Sequence, residues 1–212
     1  MGLLAIFFTN LVVGFSGAMM PGPLLTVTIN ESARRGFKAG PLIVLGHAIL
    51  ELVLVAGLML GLSNMFKSPS FGAVVGIVGG ALLLWMGFDM VKNAWRGTLS
   101  LDLEVTDKKA LMGPVLLGIV VSLSNPYWSL WWATFGLKQI NGAWVLGIGG
   151  LGAFYTGHIL ADLVWYSAVA GAVAGGRRLM SDRVYRWIIG ACGIFLMWLG
   201  VGFIRSGTEK FF

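Results

Sequence analysis

Apolar side chains along this chain fall into six long runs separated by short polar stretches. The runs cover roughly Leu3–Ile29, Ala39–Ser63, Phe71–Val91, Ala110–Leu137, Ala143–Ala174 and Val184–Ile204. Each reaches or exceeds the ~20 residues that carry a helix across ~30 Å of hydrocarbon. Irregular backbone cannot face lipid, so runs of this length must be helices. The pattern predicts an all-α integral membrane protein with six transmembrane helices. The longest polar stretch, Lys92–Lys109, is too short to build a core of its own, so residues 1–212 read as a single transmembrane domain.

Composition sharpens the same picture. The chain is 57% hydrophobic and only 11% charged, against about 25% charged in a soluble domain. The first run has no basic residue before it, is too long for a signal-peptide core and carries Pro and Gly in its middle, so it reads as a retained span. The net charge of +6 is informative by position: eleven of the fifteen Lys and Arg lie in alternate loops. These are Arg34, Arg35 and Lys38; Lys92, Arg96, Lys108 and Lys109; and Arg177, Arg178, Arg183 and Arg186. Basic loops stay cytoplasmic. The expectation is a multi-pass protein of the cell (plasma or inner) membrane with both termini outside. Scattered over short loops, these charges do not make a nucleic-acid patch. Cys192 stands alone, which excludes an internal disulfide or a two-thiol redox pair.

The polar residues inside the runs repeat. Positions 46–52 read "GHAILEL" and positions 157–163 read "GHILADL", placing His47 and Glu51 opposite His158 and Asp162 at an offset of 111 residues. "GALLLWMG" at 80–87 returns as "GIFLMWLG" at 193–200. The first and fourth runs each carry a mid-run break, "MMPGPLLT" at Pro21–Pro23 and "LSNPYWSL" at Asn125–Pro126. The chain therefore reads as two copies of a three-span unit, about 1–97 and about 108–212, with the first and fourth helices broken mid-membrane. Three is odd, so the second copy enters the membrane from the opposite face. Such inverted-topology repeats are a common plan of secondary transporters.

The breaks and the His–acid pairs are the candidate chemistry. Proline removes a donor and clashes with the preceding turn, and such breaks survive at membrane depth where backbone is buried or lines a wet cavity. A half-helix N-terminus then offers N–H groups and partial positive charge to a carboxylate. Pro21, Gly22, Pro23 and Asn125, Pro126 would form a substrate cradle, with Ser16, Thr26, Ser124 and Trp128 beside it. Ser122 also lies nearby. His47 and Glu51, four apart, share one helix face, as do His158 and Asp162. A carboxylate at that depth costs about 2.5–3.5 kcal/mol on insertion scales and marks ion or proton pathways. Burial favours the neutral forms and mutual pairing the charged ones, so the set is placed to exchange protons near neutral pH. The plainer reading is a neutral acid hydrogen-bonded to a neutral His that fixes helix packing.

Two other occupants fit the residue types. If the second and fifth spans face each other, His47, Glu51, His158 and Asp162 could hold a divalent metal. His47 and His158 could also be axial haem ligands in a membrane electron carrier. Trp128, Trp131 and Trp132 read first as an interfacial aromatic belt, and second as a pocket wall offering cation–π contact. Asp89 and Lys92 read as a snorkelling pair. Small-x₃-small patterns such as Gly57–Gly61 and Gly171–Gly175 permit close helix approach, within one chain or in a homodimer. No HExxH, Gly-x-Ser-x-Gly or P-loop pattern supports an enzyme.

The stretch "GFSGAMMPGPLLTVTINESARRGFKAGPLIVLGHAILELVLVAG" resembles the lysine exporter (LysE/RhtB) family. The resemblance rests on Gly14, Gly17, Pro21-Gly22-Pro23, the Gly36-x₃-Gly40 loop, Gly46 and Glu51. Asn125-Pro126 followed by aromatics extends it, and size and repeat bring it over the whole chain. It implies two inverted three-helix repeats that export amino acids or related small metabolites, driven by the proton gradient, without a cofactor. It also implies that members often carry an acid where Glu51 and Asp162 stand, whereas His47 and His158 are not a general family feature. Together with the residues, it predicts a proton-coupled amino-acid exporter in the lipid bilayer. Glu51 and Asp162 would be the coupling acids, with His47 and His158 tuning or relaying. A divalent-metal transporter through the same four side chains is the alternative.

Overall fold

A computed structural model describes residues 2–19, 22–62, 68–97, 112–176 and 181–209. Pro21 and the basic residues Lys67, Lys108, Lys109, Arg177, Arg178 and Lys210 lie outside the described residues. Among the described residues every regular element is helical. Helix α1, Leu3–Ala18, gives way after Met19, and the chain restarts as α2, Pro23–Arg35. Pro23 occupies the first turn of α2, where its missing N–H has no helical partner to lose. Thr26 and Thr28 return their hydroxyls to the carbonyls of Gly22 and Leu24, at 3.2 and 2.8 Å. Arg34 and Arg35 close α2 where cations suit the dipole, and both pair with the buried Glu31, at 3.3 and 2.6 Å. Gly36, at φ 80°, then turns the chain through a conformation that side chains rarely adopt.

Helix α3, Ala39–Gly57, runs into a π-helical turn, Leu58–Leu62, that ends its regular geometry at Gly61. Helix α4, Pro69–Trp95, is capped by the Ser68 hydroxyl, which accepts from the Phe71 N–H at 3.2 Å. At its other end Asp89 accepts from Asn93 at 2.9 Å. The sequence expectation had Lys92 in that place; Asn93 is the i+4 neighbour and stands on the same face.

The fourth apolar run departs most from a single long helix. It is divided into α5, Pro114–Leu123, α6, Pro126–Trp131, a π-helical turn, Trp132–Gly136, and α7, Leu137–Trp144. Asn125 makes the first division, and its Oδ1 accepts from the Tyr127 N–H at 3.1 Å. Helices α8, Gly147–Gly176, and α9, Asp182–Thr208, complete the chain. Among the described residues four stretches, Ala39–Gly61, Pro69–Trp95, Gly147–Gly176 and Asp182–Thr208, are each long and apolar enough to cross a membrane, and counting the bent pair α1–α2 as one span gives up to five.

Glycines set how closely these helices approach. The most extensive pair is α4 with α9. A Cβ at Gly80 would strike the carbonyl of Gly200, and one at Gly87 that of Gly193. The converse holds from α9: Gly200 meets Gly80, and Gly193 meets Gly87. The similar stretches 80–87 and 193–200 align Gly80 with Gly193 and Gly87 with Gly200, and the contacts run crosswise between these aligned positions. Glycines also seat the other helices. Gly46 of α3 abuts the Val115 carbonyl of α5, and Gly157 of α8 abuts the Phe7 carbonyl of α1. Helices α3 and α8 meet at Gly40, where a Cβ would lie 2.7 Å from the Tyr166 carbonyl.

Substituting Ala at Gly46 forces backbone apart, because the methyl group meets a carbonyl and not a flexible side chain. Gly46→Ala is expected to destabilise the protein by about 1–3 kcal/mol, the usual range for overpacking. Gly152→Ala, with nothing within 4 Å of its new methyl group, should be neutral or slightly stabilising. Thermal unfolding of the two variants in detergent checks the contrast.

Candidate functional site

The two His–acid pairs meet. On α3, His47 and Glu51 face α8; on α8, His158 and Asp162 face α3. His47 Nε2 lies 3.1 Å from Glu51 Oε1 and 3.7 Å from Asp162 Oδ2. His158 Nε2 lies 3.1 Å from Glu51 Oε2 and 3.8 Å from Asp162 Oδ2. All four residues are buried, Glu51 to within 1% of complete burial. The Tyr155 hydroxyl of α8 donates to the Ala48 carbonyl of α3 at 2.6 Å and ties the two helices beside the cluster.

The groups around the cluster fix its members. Glu51 Oε1 accepts the indole N–H of both Trp128 and Trp132, each at 2.9 Å. These two tryptophans come from α6 and from the π-helical turn that continues it after the second break, and both are buried. They are therefore not an interfacial belt; a buried carboxylate needs donors, and the indole N–H supplies one without adding charge. His47 Nδ1 pairs with the Ser122 hydroxyl of α5 at 2.7 Å. Trp131 stacks on the His158 ring with centroids 4.7 Å apart. Glu51 Oε2, His158 Nε2 and Asp162 Oδ2 are buried and have no hydrogen-bond partner, although they lie close to one another.

The cluster forms one wall of a cavity of about 100 Å³. Gly17, Ala18, Gly22 and Leu24 line it from the first break, and Ser122, Asn125, Tyr127, Trp128 and Trp131 from the second, with Tyr166 from α8. Among the residues lining it none is Lys or Arg. With both carboxylates ionised and both imidazoles neutral, the wall carries two uncompensated negative charges. Low-dielectric burial makes that state costly, so it draws cations: protons, an ammonium group or a metal ion.

The other predicted site residues are placed as follows. Gly22 and Asn125 reach the cavity, whereas Pro23 and Thr26 are buried in α2 and are not among the residues that line it. Pro126 starts α6, and Ser124 lies at the break between α5 and α6. Ser16 is exposed and donates to its own helix at Val13, 2.6 Å away. The sequence reading leaves out Tyr127 and Tyr166, and it offers Trp131 and Trp132 only as an alternative pocket wall. Tyr127 and the indoles were within reach, because they directly follow the break; Tyr166 carries no local signal beyond its i+4 spacing from Asp162. The haem reading fails on space, because the two His Nε2 atoms share a small cavity with two carboxylates and leave no slot for a porphyrin.

The family model described as the LysE type translocator matches residues 15–207, nearly the whole chain. The chain belongs to that family. It is thus a membrane transporter and not an enzyme. It is 27% identical over 204 residues to the chemotactic transduction protein ChpE of Pseudomonas aeruginosa, covering 93% of this chain and 96% of that one. It is 27% identical over 208 residues to the threonine efflux protein of Salmonella typhi, covering 96% of this chain and all of that one. It is 27% identical over 204 residues to the arginine exporter protein ArgO of Escherichia coli K12, covering 95% and 94%. No solved structure matches the chain.

The two indole donors to Glu51 give a direct test of what holds the cluster. Trp132→Phe keeps an aromatic ring and removes one donor from a buried carboxylate, an expected cost of about 1–3 kcal/mol. Trp85→Phe, half exposed on α4, should change little. Unfolding midpoints of both variants in the same detergent decide the comparison.

Proposed function

We propose that this chain is a secondary-active, proton-coupled exporter of amino acids in the cell inner membrane. It would cross the bilayer six times, as two inverted three-helix repeats in one domain with both termini outside. The observation that carries this reading is the cavity itself. It lies between two helix breaks, and one wall is the four-membered His–acid cluster. An amino acid needs two complementary ends. Its ammonium group suits Glu51 and Asp162, with the aromatic face of Trp131 beside them. Its carboxylate suits the free N–H groups at the start of α2, after Gly22.

Protons and substrate then compete for the same buried negative charge, which is the minimum a coupled antiporter requires. Occupied by protons, the cluster is compensated and releases the ammonium; stripped of protons, it binds it. The two-fold exchange of glycine contacts supports the inverted repeat, because sequence-equivalent helices swap partners between the halves. A broken fourth run is what a span with a binding site in its middle would look like. The basic residues Arg34, Arg35, Lys38, Lys92, Arg96, Arg183 and Arg186 favour a cytoplasmic position for the α2–α3 turn and for the ends of α4 and α9 that meet at Gly97 and Arg186. The efflux and exporter names of the threonine and arginine relatives support the substrate class and the direction.

Reconstituted into proteoliposomes, the protein should move amino acid against an imposed proton gradient. Glu51→Gln with Asp162→Asn should bring that gradient-driven flux to background while the protein still inserts and elutes as the parent does. Normal gradient-driven flux from the double variant would sink the coupling role.

A further inference from the structure

We infer that His47, Glu51, His158 and Asp162 form a binding site for one divalent transition-metal ion of the Zn²⁺ type, which inhibits transport. The geometry is that of a coordination sphere. A tetrahedral Zn²⁺ with bonds of about 2.0–2.1 Å sets its ligand atoms about 3.4 Å apart. Between the atoms left to face the centre, His158 Nε2 lies 3.1 Å from Glu51 Oε2 and 3.8 Å from Asp162 Oδ2, and His47 Nε2 lies 3.7 Å from Asp162 Oδ2. One ligand atom from each residue lies within 4.8 Å of all the others.

Three of the converging atoms, Glu51 Oε2, His158 Nε2 and Asp162 Oδ2, are buried without a hydrogen-bond partner. They converge within ion-pairing distance of one another, with no hydrogen bond of standard geometry between them. Outer partners are already in place. Ser122 holds the far nitrogen of His47, which leaves Nε2 toward the centre. Trp128 and Trp132 saturate Glu51 Oε1, which leaves Oε2 free. Metal-bound imidazoles and carboxylates are oriented in this way. Two imidazoles and two carboxylates select Zn²⁺ and its neighbours over Mg²⁺ and Ca²⁺, which demand more oxygen ligands.

The ion takes two ligands from α3 and two from α8, so it clasps the two helices. It also neutralises the charge that protons or an ammonium group would otherwise satisfy. Inhibition rests on the export reading; binding does not.

The test uses purified full-length protein stripped with a chelator. Calorimetric titration with Zn²⁺ should show one ion per chain, with Mg²⁺ in excess failing to displace it. Co²⁺ should give the intense visible absorption of a four-coordinate ion. His158→Gln and Asp162→Asn should lose this binding. Ser122→Ala keeps every ligand and should bind about 10–100-fold more weakly at unchanged stoichiometry. Zn²⁺ binding no stronger than a detergent blank, or undiminished by His158→Gln, overturns the site. If the ligand variants do not fold, the Co²⁺ spectrum of the parent and the weakening in Ser122→Ala decide it. Gradient-driven flux in chelated buffer tests the export reading separately. Flux without metal binding removes this inference alone, and metal binding without flux removes the export reading alone. Where flux is present, Zn²⁺ should abolish it over the concentration range in which it binds; full flux with the site occupied overturns the inhibitory role.

Discussion

Burying Glu51 and Asp162 in an apolar bundle is the constraint to which the structure answers. A lone carboxylate at that depth is costly, and two near one point are worse. The protein responds with neutral donors and titratable partners, not with Lys or Arg. Two indole N–H groups reach one oxygen of Glu51, and two imidazoles stand against both acids. A fixed cation would satisfy the charge permanently. Imidazoles and indoles leave it open to whatever positive species arrives, and that openness is what a carrier can use.

Bringing these groups together depends on close helix approach. Gly40 lets α3 and α8 touch, while Gly46 and Gly157 let each of them nest against a third helix. Larger side chains at these places would separate the two His–acid pairs and leave two isolated buried acids. The helix breaks have the complementary role. They turn backbone at Gly22 and Asn125 toward the cavity, and the second break delivers the tryptophans that hold Glu51. Polar centre, glycine seams and broken helices are thus one arrangement.

Much of this was legible in the residues. The second, third, fifth and sixth apolar runs gave their helices to within a few residues, whereas helix extends beyond the first run to Arg35 and beyond the fourth to Trp144; the paired Gly-His-x₃-acid motifs marked the centre, because four-residue spacing on a helix fixes a shared face whatever the tertiary fold. The Pro and Asn at the breaks marked where the helices stop. Other features were not legible. Trp128 and Trp132 have the spacing and composition of an interfacial belt, and only the burial of Glu51 opposite them makes them donors. Ser16 sits next to the break in sequence, but the rotation of α1 turns it outward. Asp89 has both Lys92 and Asn93 within one turn, and only the structure shows that it accepts from Asn93.

By itself, then, the sequence determined the helical class and the residue types that carry charge into the apolar runs. These follow from periodicity, hydropathy and proline chemistry, all of which act within a few turns of one helix. Only the tertiary structure decided that residues 111 positions apart share one charge centre, and which oxygen of Glu51 is left open. Those outcomes depend on how far apart two helix axes lie, and contacts spread along the whole chain set that distance.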